Sequence, residues 1–321
     1  MEPRVTVLMA VHNCAGTVRE AMESVLGQRF GELELVVVED GSGDGTAEVV
    51  RSMKDERVRV LVNEKNVGLS RSLNRGWEGA RGEFVARMDG DDVSLPERVG
   101  KQVGFMEGNP EVAVAGSFIE TFGAGGGEVV RYPTEAGMVG ATLLFRNALA
   151  HPAVMMRKGA LDAAGLRYEA EFRCAQDNAL WARCVAKGMK LANVGEVLLR
   201  YRVHGGQLSQ QYFGGMHEEG TVLRGRLVRE VLPGVTPGEL AVHDRLSRDC
   251  LEETEQEVRG ADRWLRRLWE RNEEMGLFER EALGRVLCGR WVKVVRLGRK
   301  VGVEVGGDAG PFGRFLHAGA I

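Results

Sequence analysis

Apolar runs at residues 5–11, 33–38, 58–62 and 84–88 alternate with stretches of helical periodicity across the first ninety residues of this 321-residue chain. A run with no polar interruption reads as a strand buried on both faces, the pattern of parallel sheets. The segments between have a different period. Val18, Ala21, Met22, Val25 and Leu26 recur at helical spacing behind Thr17, a residue type suited to capping a helix. Helices are likewise expected at 46–53 and 69–80. Strand–helix alternation on this scale restricts the chain to an open α/β sheet with right-handed crossovers. Such sheets bind ligands beyond the carboxyl ends of their strands. Three polar clusters fall at those ends: His12-Asn13, Glu39-Asp40, and Asp89 to Asp92. Strand direction alone gathers them into one crevice.

The third cluster carries the most chemistry. Arg87-Met88-Asp89-Gly90-Asp91-Asp92 crowds three carboxylates into four residues. Like charges at a strand end repel, and folding does not require them. A divalent cation between them accounts for the pattern, because carboxylate oxygens are the natural ligands of Mg²⁺ and Mn²⁺, which commonly recruit substrate phosphates. Asp89 and Asp91 point to the same side if the backbone stays extended, so both can serve one ligand set. Asp92 reads as the start of the turn that leads to a helix after Pro96.

Other residues have two readings each. Asp40 can accept from a ribose hydroxyl or the imide N–H of a uracil-like base, or it can simply open the turn at 41–45. The stretch 66–71, with Asn66, Ser70 and Arg71 before a helix and Arg87 nearby, can neutralise phosphate charge; ordinary capping by Asn66 or Ser70 is the alternative. Asp177 stands at an expected helix start, either as a general base or as a partner of the helix dipole. His204 and His151 are loop histidines, and imidazole is a good ligand for a transition metal.

Beyond residue 95 the expected elements are a helix to about 107, a strand at 112–118, a glycine-rich loop at 123–127, a strand at 151–157, a helix at 174–187 and a short strand at 198–203. Near residue 211 the pattern turns Arg/Glu-rich and helical. The expected division is therefore an α/β domain at 1–210 and a helical extension at 211–321. Within the extension, residues 285–300 hold six basic side chains and no acidic one. This is either an amphipathic helix on anionic lipid or a helix packed on the α/β domain or a second subunit; the packed reading is preferred. Net charge is −3, which gives no electrostatic reason to expect nucleic acid. The five cysteines form no Cys-x-x-Cys pair and read as reduced thiols. No signal-peptide pattern or spanning stretch is evident, so the expectation is a cytoplasmic protein, at most peripheral on the inner face of the membrane.

In their order, these pieces resemble the family 2 inverting glycosyltransferases of GT-A fold. The resemblance rests on residues 5–13, 39–46, 66–70, 86–92 with Pro96, Gln176-Asp177 with Leu180-Trp181, and Tyr201-Arg202 with His204. It covers about residues 4–210, and it implies that residues 1–210 form the catalytic domain, with 1–117 binding the nucleotide sugar and 118–210 the acceptor. It implies a mixed, mostly parallel sheet flanked by helices, a nucleotide-sugar donor (UDP-linked for preference), a glycan or glycolipid acceptor, and Mn²⁺ or Mg²⁺ as cofactor. It implies Asp177 as catalytic base and Asp91, with Asp89 and His204, about the metal. Ala10, His12, Asn13, Asp40, Asn66, Ser70, Arg71, Arg87 and Asp89 would then face the donor. Two positions depart from the family: His12 where Tyr is common, and Gln176 where Glu is common. Two rivals remain. A nucleotidyltransferase should carry a basic glycine-rich loop after the first strand, and residues 12–17 have no basic side chain but His12. A binding module without catalysis would have no need to retain Asp89, Asp91 and Asp177 together.

Overall fold

A computed structural model describes residues 2–206, 213–305 and 310–316. Two compact units emerge: residues 1–134 with 149–219, and residues 135–148 with 220–321. The boundary expected at 210 thus falls at 219, and the segment 135–148 belongs with the helical unit rather than with the residues around it in sequence.

The first unit is built on β1 (Val5–Val11), α1 (Val18–Leu26), β2 (Leu33–Asp40), α2 (Thr46–Ser52), β3 (Val58–Asn63), α3 (Leu69–Gly79), β4 (Phe84–Asp89), β5 (Val93–Ser94), α4 (Arg98–Gly108), β6 (Val112–Gly123) and β7 (Val129–Val130). After residue 149 it continues with β8 (Met155–Arg157), α6 (Lys158–Ala163), α7 (Gln176–Ala186) and β9 (Lys190–Val203). The sheet order is β3-β2-β1-β4-β8-β6-β9-β5, with β7 on β6. β1 to β4 are mutually parallel, β8 runs against β4 and β6, and β9 runs with β6. This is the mixed, mostly parallel GT-A architecture expected.

The chain moves outward from β1 to β2 and β3, then returns to the other side of β1 for β4. The order reverses between β1 and β4, and that is where an open α/β sheet leaves a crevice. All eight residues of β2 are buried, as are six of seven in β1, which explains apolar runs that only Thr6 and Glu34 interrupt before the strand ends. Leu8, Met9, Val36, Val37, Val85 and Ala86 are fully sequestered. α3 packs on this face so closely that a Cβ at Gly76 would come within 2.2 Å of Leu8 Cδ1.

Three elements differ from the sequence expectation. The strand expected at 151–157 begins as a 3₁₀ turn, His151–Ala153, and only Met155–Arg157 pairs. Pro152 has no N–H for a ladder. β9 begins at Lys190, not 198, because partners of β6 jump from Val194 to Val197. The bulge at Gly195-Glu196 interrupts the apolar pattern and hides the first half of the strand. Thr17 does stand at the N-cap of α1, yet its side chain caps nothing. Its hydroxyl lies 3.3 Å from the Cys14 carbonyl and 3.0 Å from the Gly90 carbonyl, to which it donates.

The second unit comprises α5 (Ala136–Leu143), the later turns of α8 (Phe213–Val231), α9 (Pro237–Ser247), α10 (Glu255–Met275), α11 (Arg280–Lys300) and a 3₁₀ turn at Gly310–Phe315. Thr236 and Glu239 form a reciprocal capping box on α9, and Thr254 caps α10 by accepting from the Glu257 N–H. Trp264, Leu265, Leu268, Leu287, Trp291 and Phe312 fill the core. α11 packs its apolar side, including Leu283, Leu287, Trp291 and Val294, against α10 and α5. These four side chains are therefore spent on this core, while Val286, Val292, Val295 and Leu297 are half-buried. Of the basic residues, Arg285, Arg290, Lys293 and Lys300 face Glu135, Asp249, Asp249 and Glu253. No helix among the described residues is long and apolar enough to cross a membrane.

Candidate active site

β1 and β4 run in register, so Ala10 pairs with Asp89 on one side and Val38 on the other. The ends of the three strands are thereby level, and the loops that leave them interlock. Asn13, at φ 51°, accepts from the Gly43 N–H through its side chain at 2.9 Å, while its own N–H donates to Ser42 Oγ at 3.1 Å. His12 Nδ1 lies 2.9 Å from the Asp40 carbonyl and must donate to it; Nε2 then accepts from Asn13 Nδ2 at 3.1 Å. The ring is thus held as the Nδ1–H tautomer.

Asp40 is buried, and its carboxylate is already engaged. Oδ1 accepts from Asn63 Nδ2 at 2.7 Å and the Val67 N–H at 2.9 Å; Oδ2 accepts from the Gly68 N–H at 2.9 Å. A carboxylate has about four acceptor positions, so one remains. Asp40 thus holds the two residues that precede α3, and the capping by Asn66 or Ser70 that the sequence offered as an alternative is not made. Asp40 fixes the entry to α3, whose N-cap is Gly68 at φ +91° with no side-chain cap. Ser70 is buried, its hydroxyl without a partner among the described residues, whereas Asn66 and Arg71 are exposed. Gly41 is required at the foot of this arrangement: its φ is +65°, and a Cβ would lie 2.5 Å from the Asn66 backbone nitrogen.

The acidic turn lies beside it. One oxygen from each of Asp89, Asp91 and Asp92 lies within 4.8 Å of the others. Gly90 is the only residue that fits between them, since a Cβ would sit 2.7 Å from Val11 Cγ1 and 3.1 Å from Cys14 Sγ. Arg87, expected to face donor phosphate, is instead buried at 2% exposure. Its guanidinium is forked on the Asp89 carboxylate, with Nη1 at 2.6 Å from Oδ2 and Nη2 on Oδ1. Side chains two apart on a strand share a face, which makes this pairing local. Asp91 Oδ2 lies 2.9 Å from His204 Nε2, and the His204 Nδ1 accepts from the Gly206 N–H at 3.2 Å. Asp91 and His204, both expected about a metal, are thus in direct contact with each other.

Asp92 departs furthest from its sequence expectation as a turn residue. It is 1% exposed. Oδ1 accepts from the Arg202 N–H at 2.9 Å, but Oδ2 has no partner among the described residues. Burial, with Asp89 and Asp91 beside it, pushes its carboxyl well above the usual range. Burial raises Asp89 as well, against the pull of Arg87. Behind them Arg98 is buried, donating to the Arg87 carbonyl at 2.6 Å, and burial brings its guanidinium down to about 9. Arg202, to which the sequence assigns no role of its own, holds the turn from outside. Its Nε donates to the Asp91 carbonyl at 2.7 Å, and its Nη2 reaches Glu20. The signals for both are visible, as a third acid in the run and an arginine two residues before His204, but neither has a periodicity that marks it.

These features fit a divalent cation: hard oxygen donors, a mutual repulsion to be relieved, and a buried carboxylate oxygen with nothing to accept from. The direct contributors on offer are Asp91 and Asp92. Asp89 has both oxygens on Arg87 and enters with fewer lone pairs free.

Asp177 occupies the first turn of α7 and is buried. Its charge is felt by Tyr132, which burial first and Asp177 second push up to about 12, and by Tyr168, raised chiefly by burial. Tyr168 also feels Arg87 and Asp89, so one phenol shares the fields of the acidic turn and of Asp177. Its place is well determined. Asn74 Nδ2 donates to the Tyr168 carbonyl at 2.8 Å and Asn74 Oδ1 accepts from its N–H at 3.0 Å. The Tyr168 hydroxyl lies 3.0 Å from Nε2 of His151, which is buried beside Trp181 and so not placed as a metal ligand.

Comparison with known proteins agrees with this geometry. Residues 6–159 match the family described as Glycosyl transferase family 2. The O-antigen biosynthesis glycosyltransferase WbnJ of Escherichia coli is 32% identical over 211 residues, covering 62% of this chain and 80% of that protein. The amylovoran biosynthesis glycosyltransferase AmsE of Erwinia amylovora is 31% identical over 202 residues, 61% of this chain and 75% of AmsE. The Escherichia coli enzyme WfaP, a UDP-Glc:alpha-D-GlcNAc-diphosphoundecaprenol beta-1,3-glucosyltransferase, is 28% identical over 68% of this chain and 85% of its own. Among solved structures, S. aureus TarS residues 1–349 with UDP-GlcNAc superposes with a TM-score of 0.63 at 17% identity, over 94% of this chain and 90% of that one. The mannosyltransferase PcManGT of Pyrobaculum calidifontis, solved with GDP-Man and Mn²⁺, gives 0.59 at 15% identity, over 94% and 87%. With the strand-end crevice, the acidic turn and these relatives in agreement, the chain belongs to glycosyl transferase family 2.

Proposed function

We propose that this glycosyltransferase is a cation-dependent, inverting enzyme that moves a sugar from a nucleoside-diphosphate donor, UDP-linked for preference, to an acceptor hydroxyl. The observation that carries the reading is the buried Asp92 oxygen, without a partner among the described residues, in a turn of three carboxylates at the sheet's switch point. Asp91 and Asp92, with Asp89 and His204 beside them, would hold Mn²⁺ or Mg²⁺, and the cation when bound supplies neutralisation of the departing diphosphate charge. The loop ends at Ala10, His12-Asn13 and Asp40 would bracket the nucleoside. Ser70 and the exposed Arg71 at the start of α3 would meet the donor, with Asn66 at the rim. Arg87 would act on the donor only through Asp89, by keeping that carboxylate ionised and oriented.

Asp177 is assigned the proton transfer. Its carboxylate takes the proton of the acceptor hydroxyl as that oxygen attacks the anomeric carbon from the face opposite the diphosphate. The C–O bond to the phosphate breaks, and configuration inverts. General-base catalysis of this kind contributes roughly 10²–10⁴-fold. Asp177→Asn should keep donor binding, measured by calorimetry, and lose transfer by that factor. Full transfer in the variant would remove Asp177 from this role. UDP release measured with and without acceptor separates the enzyme from a binding module.

WbnJ, AmsE and WfaP bear names of O-antigen, amylovoran and polyprenyl-diphosphate-linked synthesis. They support a glycan or glycolipid acceptor on the path to a cell-surface polysaccharide. The enzyme would meet it on the cytoplasmic side. Any membrane contact would be peripheral and electrostatic, through the exposed Arg296 and Arg299 of α11, each worth about 1 kcal/mol near anionic lipid.

A further inference from the structure

α7 carries the proposed base and lacks a side-chain cap of its own. Its entrance is instead closed from a distant segment. Glu219, in α8, places Oε1 2.9 Å from the Arg173 N–H, and Oε2 2.9 Å from both the Cys174 N–H and the Ala175 N–H. Three successive backbone N–H groups therefore converge on one carboxylate, and the last belongs to the N-cap of α7. Consecutive amides turned to one side form an anion-binding concavity, and here the anion is built into the chain.

Three charge-assisted bonds on three consecutive residues fix the path of the backbone into Gln176 and Asp177. Asp177 follows the last clamped amide by only two positions, too few for an independent adjustment of its place. Other links tie the chain down earlier in the segment, among them the Arg183–Glu169 ion pair at 3.3 Å. Asn74 holds Tyr168, and Arg183 donates to the Arg167 carbonyl at 3.0 Å; both precede the loop that Glu219 ties down.

We infer that Glu219 is a positioning residue for the transfer reaction: it sets the approach of Asp177 to the acceptor hydroxyl without touching the donor. The inference rests on the assignment of Asp177 as base. It separates two quantities that a general loss of structure would lower together. The groups proposed to face the donor lie on β1, β2, β4 and α3 and the loops that leave those strands, whereas the three amides that Glu219 holds belong to residues 173–175, on none of these elements. Misplacing a base by about 1 Å can cost roughly a hundredfold in rate while donor affinity is unchanged.

The test uses the full chain, Mn²⁺, a transferable UDP-sugar and its acceptor. Glu219→Ala should lower kcat about ten- to a hundredfold, with the donor KM and the calorimetric donor Kd within about twofold of wild type. Glu219→Gln keeps the length and one acceptor oxygen, so it should recover part of the loss. Its amide nitrogen cannot accept, so it should not recover all. Equal falls in kcat and donor affinity, or a Gln variant as poor as Ala, would reduce Glu219 to a structural role and overturn the inference. So would wild-type kcat in Glu219→Ala while Asp177→Asn is dead. An active Asp177→Asn would instead overturn the base assignment, which keeps the two failures distinguishable.

Discussion

His243 and Asp92 are both titratable side chains at 1% exposure, one in the helical unit and one in the sheet unit. Around His243 every bond is made. Nε2 donates to the Leu144 carbonyl at 2.8 Å, Nδ1 accepts from Trp264 Nε1 at 3.1 Å, and Phe145 lies against the ring at 4.7 Å. Asp92 has one oxygen bonded and one bare among the described residues, with two more carboxylates beside it. Buried polar groups that are fully paired rigidify a core, while those left half-paired cost energy that folding alone would not retain. The same degree of burial thus marks a structural hub in one unit and a candidate binding site in the other. Only the bonding partners tell them apart.

The largest expected effect probes the satisfied member. Burial brings His243 down to about 4 from an ordinary 6.5. A histidine with a depressed folded value contributes stability that is complete above 6.5 and is lost as pH falls toward 4. The full loss is about 3 kcal/mol. His243→Gln can still donate to Leu144 and accept from Trp264, but it cannot take up the proton. Urea unfolding followed by tryptophan fluorescence at about pH 7 and about pH 4.5 should show a steeper acid loss in wild type than in the variant. Parallel losses would mean that His243 is not the fully paired hub described.

Next comes the unsatisfied member. Mn²⁺ at about a hundredfold excess over its Kd should stabilise the protein by about 2.7 kcal/mol. In chelator, Asp92→Asn should cost no stability, and the gap in its favour should widen toward about 1 kcal/mol as pH rises and the raised Asp92 carboxyl ionises, because the variant then avoids a buried charge. The same variant should lose much of the Mn²⁺ gain. A variant that is less stable in chelator would place Asp92 with His243 among structural groups, and the contrast would fail.

Sequence and structure differ along the same line. The sheet was legible because its strands are buried on both faces, so period and composition spell them out. The acidic run was legible because three like charges in four residues have no folding rationale. What sequence could not convey was pairing. Arg87 looks like a phosphate ligand until β4 turns it onto Asp89, two residues away on the same face. Asp92 looks like a turn residue until β9 brings the Arg202 N–H to one of its oxygens and leaves the other bare. The segment 135–148 reads as belonging to the surrounding domain, since nothing local announces that α5 packs on α11. Glu219 is one acid among many in a charged helix, and only the fold reveals the three amides that it gathers.

The smallest effect tests how the half-satisfied turn is held in place. Position alone makes Thr17 a cap for α1, and in that role Asn would serve as well as Thr. In the structure its hydroxyl donates to the Gly90 carbonyl at 3.0 Å, between Asp89 and Asp91. Loss of that bond should cost about 1 kcal/mol. Thr17→Ser should then be near neutral, whereas Thr17→Asn should be destabilised and should weaken Mn²⁺ binding, because the amide is longer and planar and cannot reproduce the hydroxyl's approach to Gly90. If Asn is as good as Thr in both measurements, Thr17 is a helix cap after all. The acidic turn would then owe its shape to Gly90 and Arg202 alone.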